Sequence, residues 1–169
     1  QVLLIINTQN LISSGKMKSD CSDIRFTYYN PANNSEIKIP YWIESGCDTT
    51  NTRIWVKVPY IPANGNATIY MYYGNPSAIS ESNPKNVFDG YWKYPDYYGW
   101  SDTRTYICGN WTMMGGYRNF GAGASTQTQL NLTAGNYQIC FNWIKGDSWD
   151  GEYGMFWFNG NLVWQKQEC

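Results

Sequence analysis

The most chemically suggestive run is an acidic loop near the end of the sequence. Residues 147–152 read Asp-Ser-Trp-Asp-Gly-Glu, so three carboxylates lie beside a glycine. Carboxylates and backbone carbonyls within one loop are the ligands that a hard cation such as Ca²⁺ requires. Asp147, Asp150 and Glu152 are therefore candidate calcium ligands, although their spacing is not that of an EF-hand. The favoured alternative is a loop in which the aspartates accept backbone N–H bonds and the glutamate is solvated.

The residue type that most often performs acid–base catalysis is missing. The sequence contains no histidine, which excludes His-based acid–base catalysis, Ser-His and Cys-His nucleophiles, and His-ligated zinc. The two carboxyl groups of a glycosidase face each other across a sugar at about 5–10 Å, and nothing in a contiguous loop enforces that arrangement. We therefore predict that the chain is not an enzyme and holds no cofactor, with Ca²⁺ at the acidic loop as the alternative.

The cysteines are widely spaced. The sequence has five of them, at Cys21, Cys47, Cys108, Cys140 and Cys169, and no two are closer than 26 residues. Zinc ribbons and fingers use close pairs, so the spacing favours disulfides in an oxidising compartment over zinc binding. The alternative is a set of reduced, buried thiols. We predict a Cys21–Cys47 disulfide, and a pairing of Cys108 with Cys140 or Cys169.

Four Asn-x-Ser/Thr sequons are candidate N-glycosylation sites, at Asn33, Asn66, Asn110 and Asn131. The first two lie among Pro, Asn and Gly residues that predict exposed turns, where an oligosaccharide has room. The alternative is that these asparagines only form the turns.

Aromatic side chains are unusually common, at 18% of residues against 15% charged residues. One dense group comprises Tyr91, Trp92, Tyr97, Tyr98 and Trp100. Packing in the seam between the two β units is the first interpretation of this group, a contact with another subunit the second, and sugar stacking the third.

The elements that position these residues are predicted to be strands. Alternating apolar and polar residues recur at 36–41, 53–58, 68–73 and 137–143, which is typical of half-buried strands. Asn159-Gly160 between aromatic runs predicts a hairpin with a tight turn. Only residues 9–17 could form a turn or two of helix. We predict an all-β, antiparallel sandwich or jelly-roll-like fold with two β units, residues 1–89 and residues 90–169.

The first strand, Val2–Ile6, is apolar on both faces. Within one chain this predicts a central core strand, and between chains it predicts a strand added to a neighbour's sheet edge. The run is far too short to span a bilayer, and a net charge of -1 offers no basic surface for nucleic acid. Both termini are expected to be cut ends of a longer polypeptide.

A series of motifs in the first half resembles a known extracellular module. In order they are residues 22–26 (SDIRF), 39–44 (IPYWIE), 54–59 (IWVKVP), 69–75 (IYMYYGN) and 87–88 (VF). Over residues 1–88 the chain resembles an uncharacterised β module of secreted proteins, which is classified as a domain of unknown function and often accompanies lectin-like sandwich domains in surface proteins. The resemblance implies a β fold and a secreted setting.

The second half resembles a repeated ectodomain of ciliate surface proteins. The matching residues over 104–169 are Cys108-Gly109, residues 114–117 (MGGY), 120–123 (FGAG), 147–152 (DSWDGE) and Val163-Trp164. The resemblance implies a surface setting and no particular chemistry, and the chain ends before that family's later strands.

Together these features predict a structural or assembly subunit of an extracellular fibre or cell-surface glycoprotein. Its partners would be copies of itself, neighbouring domains of a surface protein and N-linked glycans, joined through β-strand and aromatic contacts. The alternative function is a lectin-like, carbohydrate-binding module that depends on calcium.

Overall fold

The fold was obtained as a computed structural model, which describes residues 1–93, 95–116, 119–120, 124–144 and 153–167. The chain divides into two compact units, unit 1 (Gln1–Tyr91) and unit 2 (Trp92–Cys169). Antiparallel strands dominate both, so the predicted all-β class is confirmed. In chain order the elements are β1 (Val2–Ile6), α1 (Gln9–Ser13), β2 (Arg25–Asn30), β3 (Ser35–Ile39), β4 (Tyr41–Ser45), β5 (Thr52–Val56), β6 (Ile69–Tyr72), α2 (Pro84–Val87), β7 (Thr105–Cys108), β8 (Trp111–Met114), β9 (Tyr153–Phe158) and β10 (Asn161–Gln167).

Unit 1 consists of two three-stranded antiparallel sheets with the strand orders β1-β5-β4 and β3-β2-β6. The chain passes from the second sheet to the first at Pro40, which separates β3 from β4. Proline suits this corner because it has no N–H to contribute to a strand ladder. Side chains from both sheets meet in one core, as in a β-sandwich.

The core follows from period-two alternation in the strands. In β5 the buried side chains are Thr52, Ile54 and Val56, and in β2 they are Phe26 and Tyr28. The Phe26 ring packs against Tyr41 of the other sheet at 5.5 Å between centroids. The complete buried cluster is Met17, Cys21, Ile24, Phe26, Tyr28, Ile39, Tyr41, Ile54 and Val56. Burial of this apolar surface is the main force that stabilises the sandwich.

The first strand lies at the edge of its sheet, so its predicted central position is wrong. Among the described strands it pairs only with β5, whose other side is occupied by β4. Leu4 and Ile6 pack against the core, and so do Leu11 and Ile12 of the short helix α1. Ile5 points away from the core and is 54% exposed. An apolar sequence on both faces therefore reflects one buried face and one partly open face.

Unit 2 contains two hairpins, β7–β8 and β9–β10. The predicted Asn159-Gly160 turn is confirmed, with φ of 47° and 75° at the two residues, the left-handed geometry that Asn-Gly favours. The strand predicted at residues 137–143 is wrong, because no ladder forms there in the described part of the chain. This segment packs by its rings instead, with Phe141 5.3 Å from Phe156 and 5.2 Å from Trp164 between centroids.

No helix within the described ranges is long and apolar enough to cross a membrane.

Candidate functional site

The predicted disulfide between Cys21 and Cys47 is confirmed, with an S–S distance of 2.06 Å. It joins the loop before β2 to the loop after β4, and Cys21 is fully buried. The pairing predicted between Cys108 and Cys140 is wrong. Both are free thiols, the first half-buried near the β7–β8 turn and the second exposed. The alternative partner, Cys169, lies outside the described residues.

All four sequon asparagines are exposed. Asn33 lies in the β2–β3 turn, where the Ser35 hydroxyl donates a 2.7 Å hydrogen bond to the Asn33 Oδ1. Asn110 lies in the two-residue turn between β7 and β8. Asn66 and Asn131 lie in irregular segments. Solvent exposure makes each position sterically accessible to an oligosaccharide, and whether any is modified stays a prediction.

The candidate calcium ligands Asp147, Asp150 and Glu152 lie outside the described residues. Within the residues that are described, no group of three His, Cys, Asp or Glu side chains is placed to hold a metal ion.

The aromatic group predicted at residues 91–100 is divided between the two units. Tyr91 packs in unit 1 against Trp42 and Phe88, at 5.1 and 6.3 Å between centroids.

The other aromatic residues of that group belong to unit 2. Trp92 and Trp100 form an edge-to-face pair at 5.5 Å, and the Trp92 indole N–H donates to the Tyr98 carbonyl. Tyr98 is 87% exposed, whereas Tyr97 is half-buried. The residues of this group in unit 2 therefore do not form one flat surface.

The two edges of the β1-β5-β4 sheet differ. The β4 edge carries a bulge between Ile43 and Ser45 and is covered by the chain near α2. There the Ile43 N–H donates to the Ser82 hydroxyl at 2.8 Å, and the Asn83 N–H donates to the Tyr41 carbonyl at 3.0 Å. Such bulges and coverings are the usual protection of a sheet edge against pairing with other chains.

The β1 edge has none of these protections. Among the described residues, the backbone of β1 bonds only to β5. The strand contains no charged residue and no proline, and its pairing has no bulge. The edge strands of the other sheet are protected against pairing in different ways. Strand β3 carries the charged residues Glu36 and Lys38, and β6 has only four residues. Among the strands of unit 1, β1 is therefore the edge most open to another strand.

One face of the β9–β10 hairpin also exposes large apolar side chains. Met155 and Trp157 alternate with Phe156, which packs inward against Phe141. Leu162 lies opposite Trp157 in the ladder and is exposed as well. Exposed Trp and Met side chains are typical of protein contact surfaces.

A further surface was missed by the sequence reasoning. We call it the tyrosine face, the outer face of the β3-β2-β6 sheet, which is formed by Arg25, Thr27, Tyr29, Glu36, Lys38, Tyr70 and Tyr72. Its signal is the set of polar and aromatic residues that alternate with the core residues of the predicted strands. The alternation predicts the buried positions of these strands and assigns no role to the outward-facing ones.

Glu36 is at the centre of the hydrogen bonds on the tyrosine face. The Thr27 and Tyr72 hydroxyls both donate to Glu36 Oε2, at 2.7 and 2.8 Å. These two bonds, first from Thr27 and then from Tyr72, lower the pKa of the Glu36 carboxyl because they stabilise its charged form. The same bond raises the pKa of the Tyr72 hydroxyl, since its proton is held by a carboxylate. The two residues therefore fix each other's side chains.

Comparison with known proteins gives one family and one relative. A family model described as a domain of unknown function (DUF2341) matches residues 20–112, which supports the predicted uncharacterised β module in the first part of the chain. Uncharacterized protein 562 of Sulfolobus islandicus rod-shaped virus 1 is 39% identical over 79 residues. That match covers 44% of this chain and 13% of the viral protein. No solved structure matches the chain.

Proposed function

The chain belongs to the family described as a domain of unknown function, DUF2341, and we propose that it is a structural subunit of an extracellular fibre or cell-surface glycoprotein. The family description names no activity, so the proposal rests on the surfaces of the molecule itself. The subunit self-associates through strand pairing and aromatic contacts, and its neighbours are copies of itself or adjoining domains of one surface protein.

The open edge of β1 is the observation that carries the proposal. A second strand laid along β1 would satisfy the backbone N–H and C=O groups of its outer edge, which bond to no described residue. Each new backbone hydrogen bond contributes about 0.5–1.5 kcal/mol net. Pairing would also shield Ile5, which is 54% exposed. Because β1 has no charged residue, two copies of the strand can pair without repulsion between like charges.

The exposed face of the β9–β10 hairpin supports the aromatic part of the proposal. Trp157, Met155 and Leu162 are large apolar side chains that a partner would remove from water. Burying such a side chain is worth about 1.5–3 kcal/mol. The resemblance of residues 104–169 to ciliate surface ectodomains points in the same direction and stays a prediction.

The disulfide and the sequons support an extracellular setting. Disulfides persist in oxidising compartments, and Cys21–Cys47 is formed. Asn33 and Asn66 lie near the same end of the β3-β2-β6 sheet, because Thr68 follows Asn66 closely and its carbonyl accepts from the Tyr29 N–H at 3.0 Å. Both asparagines lie outside the β1-β5-β4 sheet, so a glycan at either position would be attached to the chain of the other sheet.

Self-association is tested by sedimentation velocity on the full chain, secreted from a eukaryotic host, at increasing concentration. The wild type is expected to form concentration-dependent oligomers. Ile5→Lys places a charge on the open edge and is expected to shift the protein towards monomer. Trp157→Ser tests the hairpin face in the same assay.

Ile79→Lys is the matched control, because Ile79 is an exposed isoleucine of unit 1 that lies outside every strand. It should sediment like the wild type. A wild type that stays monomeric at every concentration contradicts the proposal, and so does an Ile5→Lys variant that assembles normally. Secreted protein without glycan, and with Cys21 and Cys47 reduced, would contradict the extracellular setting.

A further inference from the structure

The tyrosine face presents aromatic rings in a fixed orientation. Tyr72 lies on β6 and Glu36 on β3, with β2 between them, yet the Tyr72 hydroxyl reaches Glu36 Oε2 at 2.8 Å. Adjacent strands are about 4.8 Å apart, so the side chain must lie across the sheet to bridge the two outer strands. Tyr72 is still 49% exposed and its neighbour Tyr70 is 42% exposed. Both rings therefore remain accessible to a ligand.

One oxygen of the Glu36 carboxylate, at the centre of this face, is available to accept a hydrogen bond from a ligand. Glu36 Oε2 accepts from two hydroxyls, whereas Oε1 accepts no hydrogen bond from the part of the chain that the structure describes. The Tyr70 hydroxyl likewise makes no hydrogen bond to a described residue. Rings beside an oriented acceptor and an unused hydroxyl match a flat ligand with C–H faces and hydroxyl edges, which is the chemistry of a sugar ring.

The charges of the face favour a neutral ligand. Lys38 and Arg25 both pair with Glu81, at 3.0 and 3.1 Å. Together with Glu36 these side chains comprise two cations and two carboxylates, so their formal charges cancel. A phosphate or sulfate group would meet cations already held by Glu81, and it would be repelled by Glu36. A neutral saccharide avoids both costs.

We propose that the tyrosine face binds a neutral saccharide, which stacks on Tyr70 and Tyr72 and donates a hydroxyl hydrogen bond to Glu36 Oε1. Because Tyr72 is held in place before binding, little side-chain entropy is lost on association. This site is distinct from the aromatic group at residues 91–100, where the Trp92 indole N–H bonds to Tyr98. It is also independent of self-association, since β1 belongs to the other sheet.

Affinity gel electrophoresis of the full chain tests the proposal. The probes are three neutral polysaccharides, laminarin, mannan and xylan, with dextran sulfate as the anionic comparison. At least one neutral probe is expected to retard the wild type more than dextran sulfate does. Tyr70→Ala and Glu36→Gln should each weaken that binding about tenfold or more, which corresponds to about 1.4 kcal/mol.

Two further variants separate binding from folding. Tyr72→Phe keeps the ring but removes the bond to Glu36, so it should bind more weakly than wild type and more tightly than Tyr72→Ala. Tyr60→Ala removes an exposed tyrosine in the segment between β5 and β6 and should bind like wild type. The proposal is overturned if no neutral probe retards the protein, if dextran sulfate retards it most, or if Tyr70→Ala and Glu36→Gln bind like Tyr60→Ala.

Discussion

Asp23 shows how one buried residue connects distant parts of the sequence. Its carboxylate is only 2% exposed, and it accepts the Lys18 N–H at 3.2 Å and the Gly74 N–H at 2.6 Å. Two sequence motifs, residues 22–26 and 69–75, therefore meet at this side chain. Gly74 has φ of 100°, a conformation that residues with a Cβ rarely adopt. The aspartate and the glycine are thus structural partners.

Replacing Asp23 by alanine should lower the free energy of unfolding by about 2–4 kcal/mol, because two backbone N–H groups lose their acceptor in a poorly solvated place. Urea unfolding measures the change. Asp20→Ala is the control, since Asp20 is exposed and bonds only locally to Ser22, and its effect should stay below about 1 kcal/mol. An equal decrease in unfolding free energy in both variants would show that Asp23 has no special role in stability.

The Glu36 carboxylate makes a pH-dependent contribution to stability. Its pKa is lowered in the folded protein by bonds from Thr27 and Tyr72. The contribution is therefore fully present above the ordinary pKa of a glutamate, and it is lost as the pH falls through the lower folded value. Glu36→Gln cannot titrate. The difference in unfolding free energy between wild type and this variant should be constant near neutrality and shrink in acid, and a difference that is constant from about pH 6 to pH 2 contradicts this assignment.

At the scale of the elements, the alternating pattern predicts where most strands lie, but it does not predict which strands pair with each other. Residues 53–58 and 68–73 correctly indicate β5 and β6, because a half-buried strand needs an apolar residue at every second position. The same pattern at residues 137–143 predicts a strand that does not form, and Ile139 and Phe141 of its apolar face are 50% and 47% exposed. Alternation shows which side chains would share one face of a strand and not whether a backbone partner is present. Strand order, on which the open edge of β1 depends, is set by long-range packing that no local pattern contains.

The tyrosine face was beyond prediction for a related reason. Tyr72 and Glu36 are 36 residues apart in sequence and on strands that do not pair with each other. Their contact exists only because β2 inserts between β3 and β6. The local sequence pattern shows Tyr72 and Glu36 only as two polar residues on two predicted strands, and it does not indicate that they are in contact.

The Cys21–Cys47 disulfide stabilises the two sheets of unit 1 by closing a loop of 26 residues. In the chain-entropy model a loop of this length is worth about 3.5 kcal/mol at 25 °C. The double variant Cys21→Ala/Cys47→Ala should therefore lose about that much unfolding free energy in urea. Cys140→Ala removes an exposed free thiol and should change stability by less than about 0.5 kcal/mol. A double variant as stable as this control would mean that the sandwich does not depend on the disulfide.

At the scale of the whole molecule, the family match and the compact units have different boundaries. The match begins at Asp20 and ends at Thr112, so it omits β1 and includes β7 with the start of β8. Unit 1 ends at Tyr91. The described core cluster, both three-stranded sheets and the disulfide all lie within unit 1. The physical folding unit is therefore expected to be residues 1–91 rather than the matched segment.

Expression of fragments tests this expectation. A fragment of residues 1–91 should fold alone, form the Cys21–Cys47 disulfide and unfold cooperatively in urea, because a domain needs its own complete core. A fragment of residues 1–116, which adds the β7–β8 hairpin, should have the same unfolding free energy within about 1 kcal/mol. Residues 20–116 lack β1 and α1, and with them Leu4, Ile6 and the buried Met17 of the core, so this fragment should be much less stable. If residues 20–116 fold as well as residues 1–116, strand β1 is dispensable to the sandwich. It would then be free to pair with another chain altogether.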